Sequence, residues 1–269
     1  MSNRFTGAGR QALLSLAARK APPPALANAI DSICALAASR GVRLLFDAEQ
    51  ASLQPGIDDW TLEYMRKYNR GRVCVYGTYQ AYLKSCADTV SQHLRIAKDE
   101  GFQLGVKLVR GAYINTDPRH LINDTKADTD EMYDSLTRSL LTRTWDEPLH
   151  GSGPFPETSV VLASHNADSI RLGRELVERG LAKGECDFAQ LMGMADEVSC
   201  TLLPGGAGPG SPGVRAFKYL VWGSTGDCMK YLLRRAYENR DAVARTKEGR
   251  DAMGRELVRR VKSMFRLQQ

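Results

Sequence analysis

At 269 residues the chain is long enough for one large domain with a full hydrophobic core. Hydrophobic residues make up 43% and charged residues 25%, which excludes disorder as the main state, and no apolar run approaches the about 18 residues needed to cross a bilayer. The net charge of +6 is concentrated at one end, since 240–269 holds nine Lys or Arg against four Asp or Glu, a balance of +5.

The first twenty residues, MSNRFTGAGRQALLSLAARK, lack the apolar core and small-residue cleavage site of a secretory signal. They contain Ser and Arg and no acid, as a mitochondrial presequence does, but read better as a loop and an amphipathic helix. From there a short apolar run and a helix-compatible segment alternate along the chain. The runs are VRLLF (42–46), VCVY (73–76), GVKLV (105–109), VVLA (160–163), FAQLM (188–192) and FKYLVW (217–222). Helical periodicity marks 25–39, 58–68, 81–98, 125–144, 167–179 and 227–239. Strands this short and this apolar are buried on both faces, and their alternation with helices predicts parallel βα units. A barrel and a doubly wound sheet both satisfy that pattern. Polar residues at the ends of the runs (Asp47, Gln80, Arg110, His165 and the turn after Met194) favour a barrel, whose chemistry gathers at the carboxyl ends of all its strands.

Two Gly/Pro-rich stretches, 146–158 and 203–215, read as excursions; the second has no GxGxxG and its prolines lack the N–H groups of a phosphate cradle. The six cysteines are scattered without tight pairs, which favours reduced thiols, and no Cys/His spacing suits zinc, so no metal is expected. In 253–266 the positions Met253, Leu257, Val261, Met264 and Phe265 follow a helical period. The basic tail therefore reads as a helix with solvated arginines, although such a tail also suits nucleic acid or an anionic membrane surface. The expected organisation is a barrel over 1–240 followed by a basic C-terminal helix over 241–269.

Seven motifs then occur in order: LLFDAEQ (44–50), TYQAYLK (78–84), KLVRGAY (107–113), TKADTDEMYD (125–134), ASHN (163–166), QLMGMAD (190–196) and YLLRRAYEN (231–239). Together they resemble the proline dehydrogenase family, in its eukaryotic, fungal-type form. The resemblance implies a distorted (β/α)8 barrel of the TIM type, bound FAD, and oxidation of L-proline to Δ1-pyrroline-5-carboxylate. It also implies electron transfer to a quinone on the matrix side of the mitochondrial inner membrane, and no nucleic-acid partner. RFTGAG (4–9) resembles the end of the family's second strand, with Arg4 where lysine is usual, so the first strand, its helix and the N-terminal arm are expected to be missing. A barrel short of one strand exposes two edges. An inactive remnant with a binding or regulatory role is the alternative.

For the site, the resemblance implies that Arg234 and Arg235 bind the proline carboxylate, with Tyr231, Tyr219 and Leu191 lining the pocket. Asp47 and Tyr219 are the catalytic candidates. Gln80, Lys107, Arg110, Tyr113, Lys126, Thr129, His165, Asn166 and Glu238 are the candidates for holding FAD. By residue type alone, Arg234 and Arg235 are a solvated pair and Asp47 a helix cap; guanidinium groups do, however, clamp carboxylates through forked hydrogen bonds.

Overall fold

A computed structural model describes residues 1–206, 213–238, 253–254 and 257–262. The chain divides into two compact units, Met1–Ala189 and Gln190–Gln269. The first unit starts with strand β1 (Ser2–Asn3), a 3-10 turn (Phe5–Ala8) and helices α1 (Arg10–Ala17) and α2 (Pro24–Ser39). Strand and helix then alternate: β2 (Leu44–Phe46), α3 (Gln54–Tyr68), β3 (Val75–Gln80), α4 (Cys86–Glu100), β4 (Leu104–Val109), α5 (Lys126–Thr142), β5 (Thr158–Ala163), α6 (Ala167–Glu178) and β6 (Cys186–Leu191). Each strand from β1 to β5 pairs in parallel with the next, so that β1 to β6 form one continuous run. The second unit holds the end of β6, then α7 (Asp196–Thr201), β7 (Ala216–Tyr219) and α8 (Thr225–Glu238).

Strand alternation sorts the side chains. One face carries Leu44, Phe46, Val75, Tyr79, Leu104, Val106, Leu108, Val160, Leu162 and Phe188, all buried. This is the face the helices cover, at about 1.5–3 kcal/mol for each large apolar side chain removed from water. The opposite face carries Leu45, Tyr76, Thr78, Gln80, Lys107, Ser159, Val161 and Asp187, and is much more polar.

That polar face is the inside of a curl. In a flat sheet β2 and β6 would lie about 19 Å apart, four spacings of about 4.8 Å. Yet Arg43, just before β2, ion-pairs with Asp187 of β6 and lies 2.5 Å from the carboxylate of Glu185. Tyr76 of β3 reaches Ser159 of β5 at 2.8 Å, and the Arg43 guanidinium lies 6.0 Å from the Tyr76 ring centre. Val73, Tyr76 and Val161, with Leu45 and Ala189, fill the space between. Such contacts across non-neighbouring strands belong to a barrel wall and are out of reach in a doubly wound sheet. Gly105 is needed in this wall, because a Cβ there would stand 2.2 Å from the Val75 carbonyl oxygen.

The helices start and stop for local reasons. Thr125 and Asp128 form a capping box at α5, the Asn166 side chain caps α6, and α4 ends on Gly101 in the left-handed region at φ +70. Two helix starts differ from the periodicity by more than two residues. Helix α3 starts at Gln54 rather than 58, with a proline in its first turn, and α4 starts at Cys86 rather than 81. The second shift has a clear cause: the Ala81 and Tyr82 N–H groups still donate to Val109 and Arg110, so the chain stays paired to β4. The helix read at the start is α1, which buries Ala12 and Leu16. The 146–158 stretch is irregular up to Thr158, which opens β5, and part of 203–215 lies outside the described residues. The expected C-terminal helix is helical at 253–254 and 257–262; the rest of it lies outside the described residues.

Among the described residues no helix is long and apolar enough to cross a membrane, and no cluster of His, Cys, Asp or Glu could hold a metal ion. Burial pushes the thiols of Cys34 and Cys86 up to about 12, which leaves them unreactive.

Arg43→Met removes the Arg43 guanidinium from Asp187, which is 1% exposed; it is expected to destabilise the fold by about 3 kcal/mol in urea unfolding. A second test uses His93 on α4, which shares a hydrogen bond with the Tyr79 hydroxyl at 2.9 Å and is pushed down to about 4 by burial. Its contribution is complete above about 6.5 and is lost as pH falls towards 4, when the unfolded chain binds the proton first. The stability difference between the wild type and His93→Gln should shrink by up to about 3 kcal/mol over that window.

Candidate functional site

The carboxyl ends of β1 to β5 carry an unbroken set of polar contacts. Asp47 follows the apolar Leu44–Phe46 strand and is only 8% exposed, so its charge must be answered. The Lys107 ammonium on β4 answers it at 2.6 Å, the Ser2 hydroxyl donates at 2.5 Å, and the Arg4 guanidinium lies 3.6 Å away. One carboxylate thus joins β1, β2 and β4, and with two cations around one anion the cluster keeps a net positive charge.

Two residues further on, the buried Glu49 accepts the Thr6 N–H at 3.2 Å and the Thr6 hydroxyl proton. Its own N–H donates to the Gln54 side chain at 2.8 Å, and its carbonyl accepts the Gln80 amide at 3.2 Å. The Gln80 side-chain oxygen in turn accepts the Ala112 N–H at 3.2 Å. Gln80 therefore stands at the end of β3 with both polar atoms engaged, holding the loops after β2 and β4.

Arg110, the last residue of the KLVR segment, makes a third cluster. It ion-pairs with Asp130 on α5, donates to the Ser169 hydroxyl at 2.8 Å and the Ser164 hydroxyl at 3.3 Å, and lies 5.1 Å from the Tyr133 ring centre. Lys126 meets the other oxygen of Asp130 at 2.6 Å. Burial pushes the Asp130 carboxyl up, but its bond from Lys126 and the Arg110 charge outweigh that and hold it below its usual value. Here too two cations surround one anion. Thr129 sits a turn along α5 and accepts the Asn123 amide at 3.4 Å.

The ASHN segment follows β5. Its Ser164 accepts both Arg110 and the Asn166 N–H, and half-buried His165 lies between them in sequence. The Asn166 side-chain oxygen accepts the N–H groups of Asp168 and Ser169, both at 3.0 Å, which begins α6. Half-buried Tyr113 turns the loop after β4, its carbonyl accepting the N–H groups of Thr116 and Asp117.

In the second unit, Leu191 ends β6 and Tyr219 ends β7, both half-buried, and the Met192 N–H donates to the Tyr219 carbonyl at 3.1 Å. Lys218 bonds to the Met194 carbonyl at 2.8 Å and to Asp196 at 2.7 Å. Tyr231, Arg234, Arg235 and Glu238 belong to the helix α8, and their side chains lie outside the described residues.

Among the sequence candidates, then, the structure joins Asp47 directly to Lys107, and links Arg110 to Lys126 through Asp130 and to the ASHN loop through Ser164. Sequence reasoning missed Glu49, Asp130, Ser164 and Ser169 as the partners. Asp130 was signalled by its (i, i+4) spacing from Lys126, and Glu49 by a second acid two residues after Asp47; the serines carry no comparable signal. Two clusters with an excess cation, flanked by amide and hydroxyl groups, match an extended cofactor that is anionic and edged with polar ring atoms.

The chain can be compared with known proteins on this basis. A family model described as Proline dehydrogenase matches residues 4–248. Proline dehydrogenase 1, mitochondrial, of Caenorhabditis elegans is 39% identical over 239 residues, covering 84% of this chain and 36% of that protein. A probable mitochondrial proline dehydrogenase of Schizosaccharomyces pombe is 35% identical, covering 86% and 49% respectively. The human Proline dehydrogenase 1, mitochondrial, is 34% identical, covering 87% and 38%. The chain thus spans less than half the length of these relatives. Among solved structures, proline utilization A from Bdellovibrio bacteriovorus, inactivated by N-propargylglycine, superposes with a TM-score of 0.71 at 22% identity, over 88% of this chain and 24% of that one. This likeness shows the fold: parallel strands and helices of the barrel kind.

Asp47→Ala leaves the half-buried Lys107 ammonium without its anion and releases Ser2. It is expected to cost about 2–4 kcal/mol in urea unfolding. The loss should be clearly smaller in the Lys107→Met background, where only the Ser2 and Arg4 contacts remain to be lost, a non-additivity that a double-mutant cycle measures.

Proposed function

The chain belongs to the proline dehydrogenase family, and on that premise we propose that it oxidises L-proline to Δ1-pyrroline-5-carboxylate with FAD as its cofactor. The observation that carries this reading is the run of cationic clusters at the carboxyl ends of the strands, in the motifs that match the family. FAD, when bound, supplies the hydride acceptor. Lys107 and Gln80 would hold the polar edge of its ring. Arg110, Lys126, Thr129, Tyr113, His165, Asn166 and Glu238 would hold the rest, with Arg110 and Lys126 supplying the cations for its phosphates.

Arg234 and Arg235 bind the substrate carboxylate by forked hydrogen bonds, and Tyr219, Tyr231 and Leu191 pack the pyrrolidine ring and exclude water. Asp47, held by Lys107, fixes the cation beside the reacting ring. The substrate amine has to be neutral when its neighbouring carbon loses hydride, so turnover rises with pH until the amine is deprotonated. Electrons leave to a quinone at the inner mitochondrial membrane, in keeping with relatives named as mitochondrial.

Purified chain should be yellow with flavin and bleach on anaerobic addition of L-proline. Arg234→Ala or Arg235→Ala should raise the KM for L-proline by about 10–100-fold and leave FAD affinity nearly unchanged. Equal loss of both sinks the carboxylate assignment. Flavin-free protein that proline does not bleach indicates a barrel without turnover, and salt-sensitive binding of RNA or DNA would indicate a nucleic-acid role for the basic tail.

A further inference from the structure

Three loops follow β2, β3 and β4, and a residue of the proposed site lies on or at the start of each: Asp47, Gln80 (the last residue of β3) and Tyr113. One buried carboxylate fastens all three. Asp117, 8% exposed in the loop after β4, accepts the Ala51 N–H on one oxygen at 3.0 Å and the Tyr82 hydroxyl proton on the other at 2.5 Å. Its own N–H donates to the Tyr113 carbonyl at 2.8 Å.

Tyr82 is gripped from every side. Its N–H donates to the Arg110 carbonyl at 2.7 Å, its carbonyl accepts the Asn123 N–H at 2.8 Å, and Leu83 bridges to Ile122. Its ring lies flat against Gly111, where φ is +152 and a Cβ would stand 2.2 Å from the ring. This accounts for the glycine in KLVRGAY: only a residue without a side chain lets the ring in. Burial, and then the Asp117 carboxylate, hold the phenol above its usual range, so it stays a proton donor.

We propose that Tyr82 and Asp117 are positioning residues. The pair holds the Asp47 loop at a fixed distance from Gln80 and from the Ala112–Tyr113 backbone, and so sets the geometry in which substrate meets cofactor. The coupling runs beyond the direct contacts, because the Ala112 N–H touches neither Tyr82 nor Asp117 through a hydrogen bond but donates to Gln80. The catalytic half of the proposal rests on the proline-oxidising reading; the coupling of the loops does not.

The test uses the whole chain with two conservative variants. Tyr82→Phe keeps the ring against Gly111 and removes only the hydroxyl; Asp117→Asn keeps the size and one acceptor oxygen. Amide hydrogen exchange should speed up about tenfold at both Ala51 and Ala112 in each variant, with the urea midpoint little changed. Faster exchange at Ala51 alone overturns the proposal, since Asp117 is then a local contact. With FAD bound, kcat should fall about tenfold or more, while the KM for L-proline moves less than about threefold. A KM effect with unchanged kcat overturns the catalytic half. Wild-type chain that binds no flavin, with both amides still responding, overturns the proposed function and leaves the loop coupling standing. Should Asp117→Asn fail to fold, Tyr82→Phe decides by itself.

Discussion

Charge cannot be left unanswered behind an apolar strand, and this constraint organises the inner face of the first unit. Asp47 ends a strand of two leucines and a phenylalanine, and its carboxylate draws in Lys107 from β4, Ser2 from β1 and Arg4 beyond it. The same demand is met at the other end of the strands, where Arg43 reaches across the curl to Asp187. These contacts fix which strands face one another through the interior, a matter on which backbone pairing between neighbours is silent. The apolar outer face then has no choice but to seek the helices. Ion pairs of this sort add modest net stability over apolar replacements, but they penalise wrong arrangements heavily, since each mispairing strands a charge.

The division of labour between the two ends is physical. Tyr76, Ser159, Arg43 and Asp187 fill the amino-terminal end of the curl with side chains that satisfy one another. At the carboxyl end two cations flank each of Asp47 and Asp130, whereas the buried Glu49 and Asp117 are held by neutral donors.

Much of this was legible in the residues and some of it was not. The alternation of apolar runs and helical periods located β2 to β7 within a few residues, because burial on both faces of a strand and on one face of a helix leaves a strong periodic imprint. The alternation by itself suits a barrel and a doubly wound sheet alike, and the polar residues at the strand ends pointed to the barrel; the structure writes that choice in pairs such as Arg43 and Asp187, 144 positions apart and without local pattern. The start of α4 was misplaced because a helical period at 81–85 was overridden by backbone pairing to Val109 and Arg110. In the site, Asp47, Gln80 and Arg110 stood out as polar groups at strand ends and Lys107 through the family resemblance, whereas Ser164 and Ser169 enter through the guanidinium they receive. Short hydroxyl side chains take their meaning from position in space, and nothing in their spacing announces it.

The cap of α6 has one more consequence. Asn166 spends its carbonyl oxygen on two backbone amides, so the lone pairs of that group already point into the helix. What the side chain presents elsewhere is only its NH2. A molecule meeting Asn166 therefore finds a giver of protons and never a taker, which tilts this corner of the loop towards phosphate, carbonyl and ring-nitrogen partners and against hydroxyl or ammonium groups that need an acceptor.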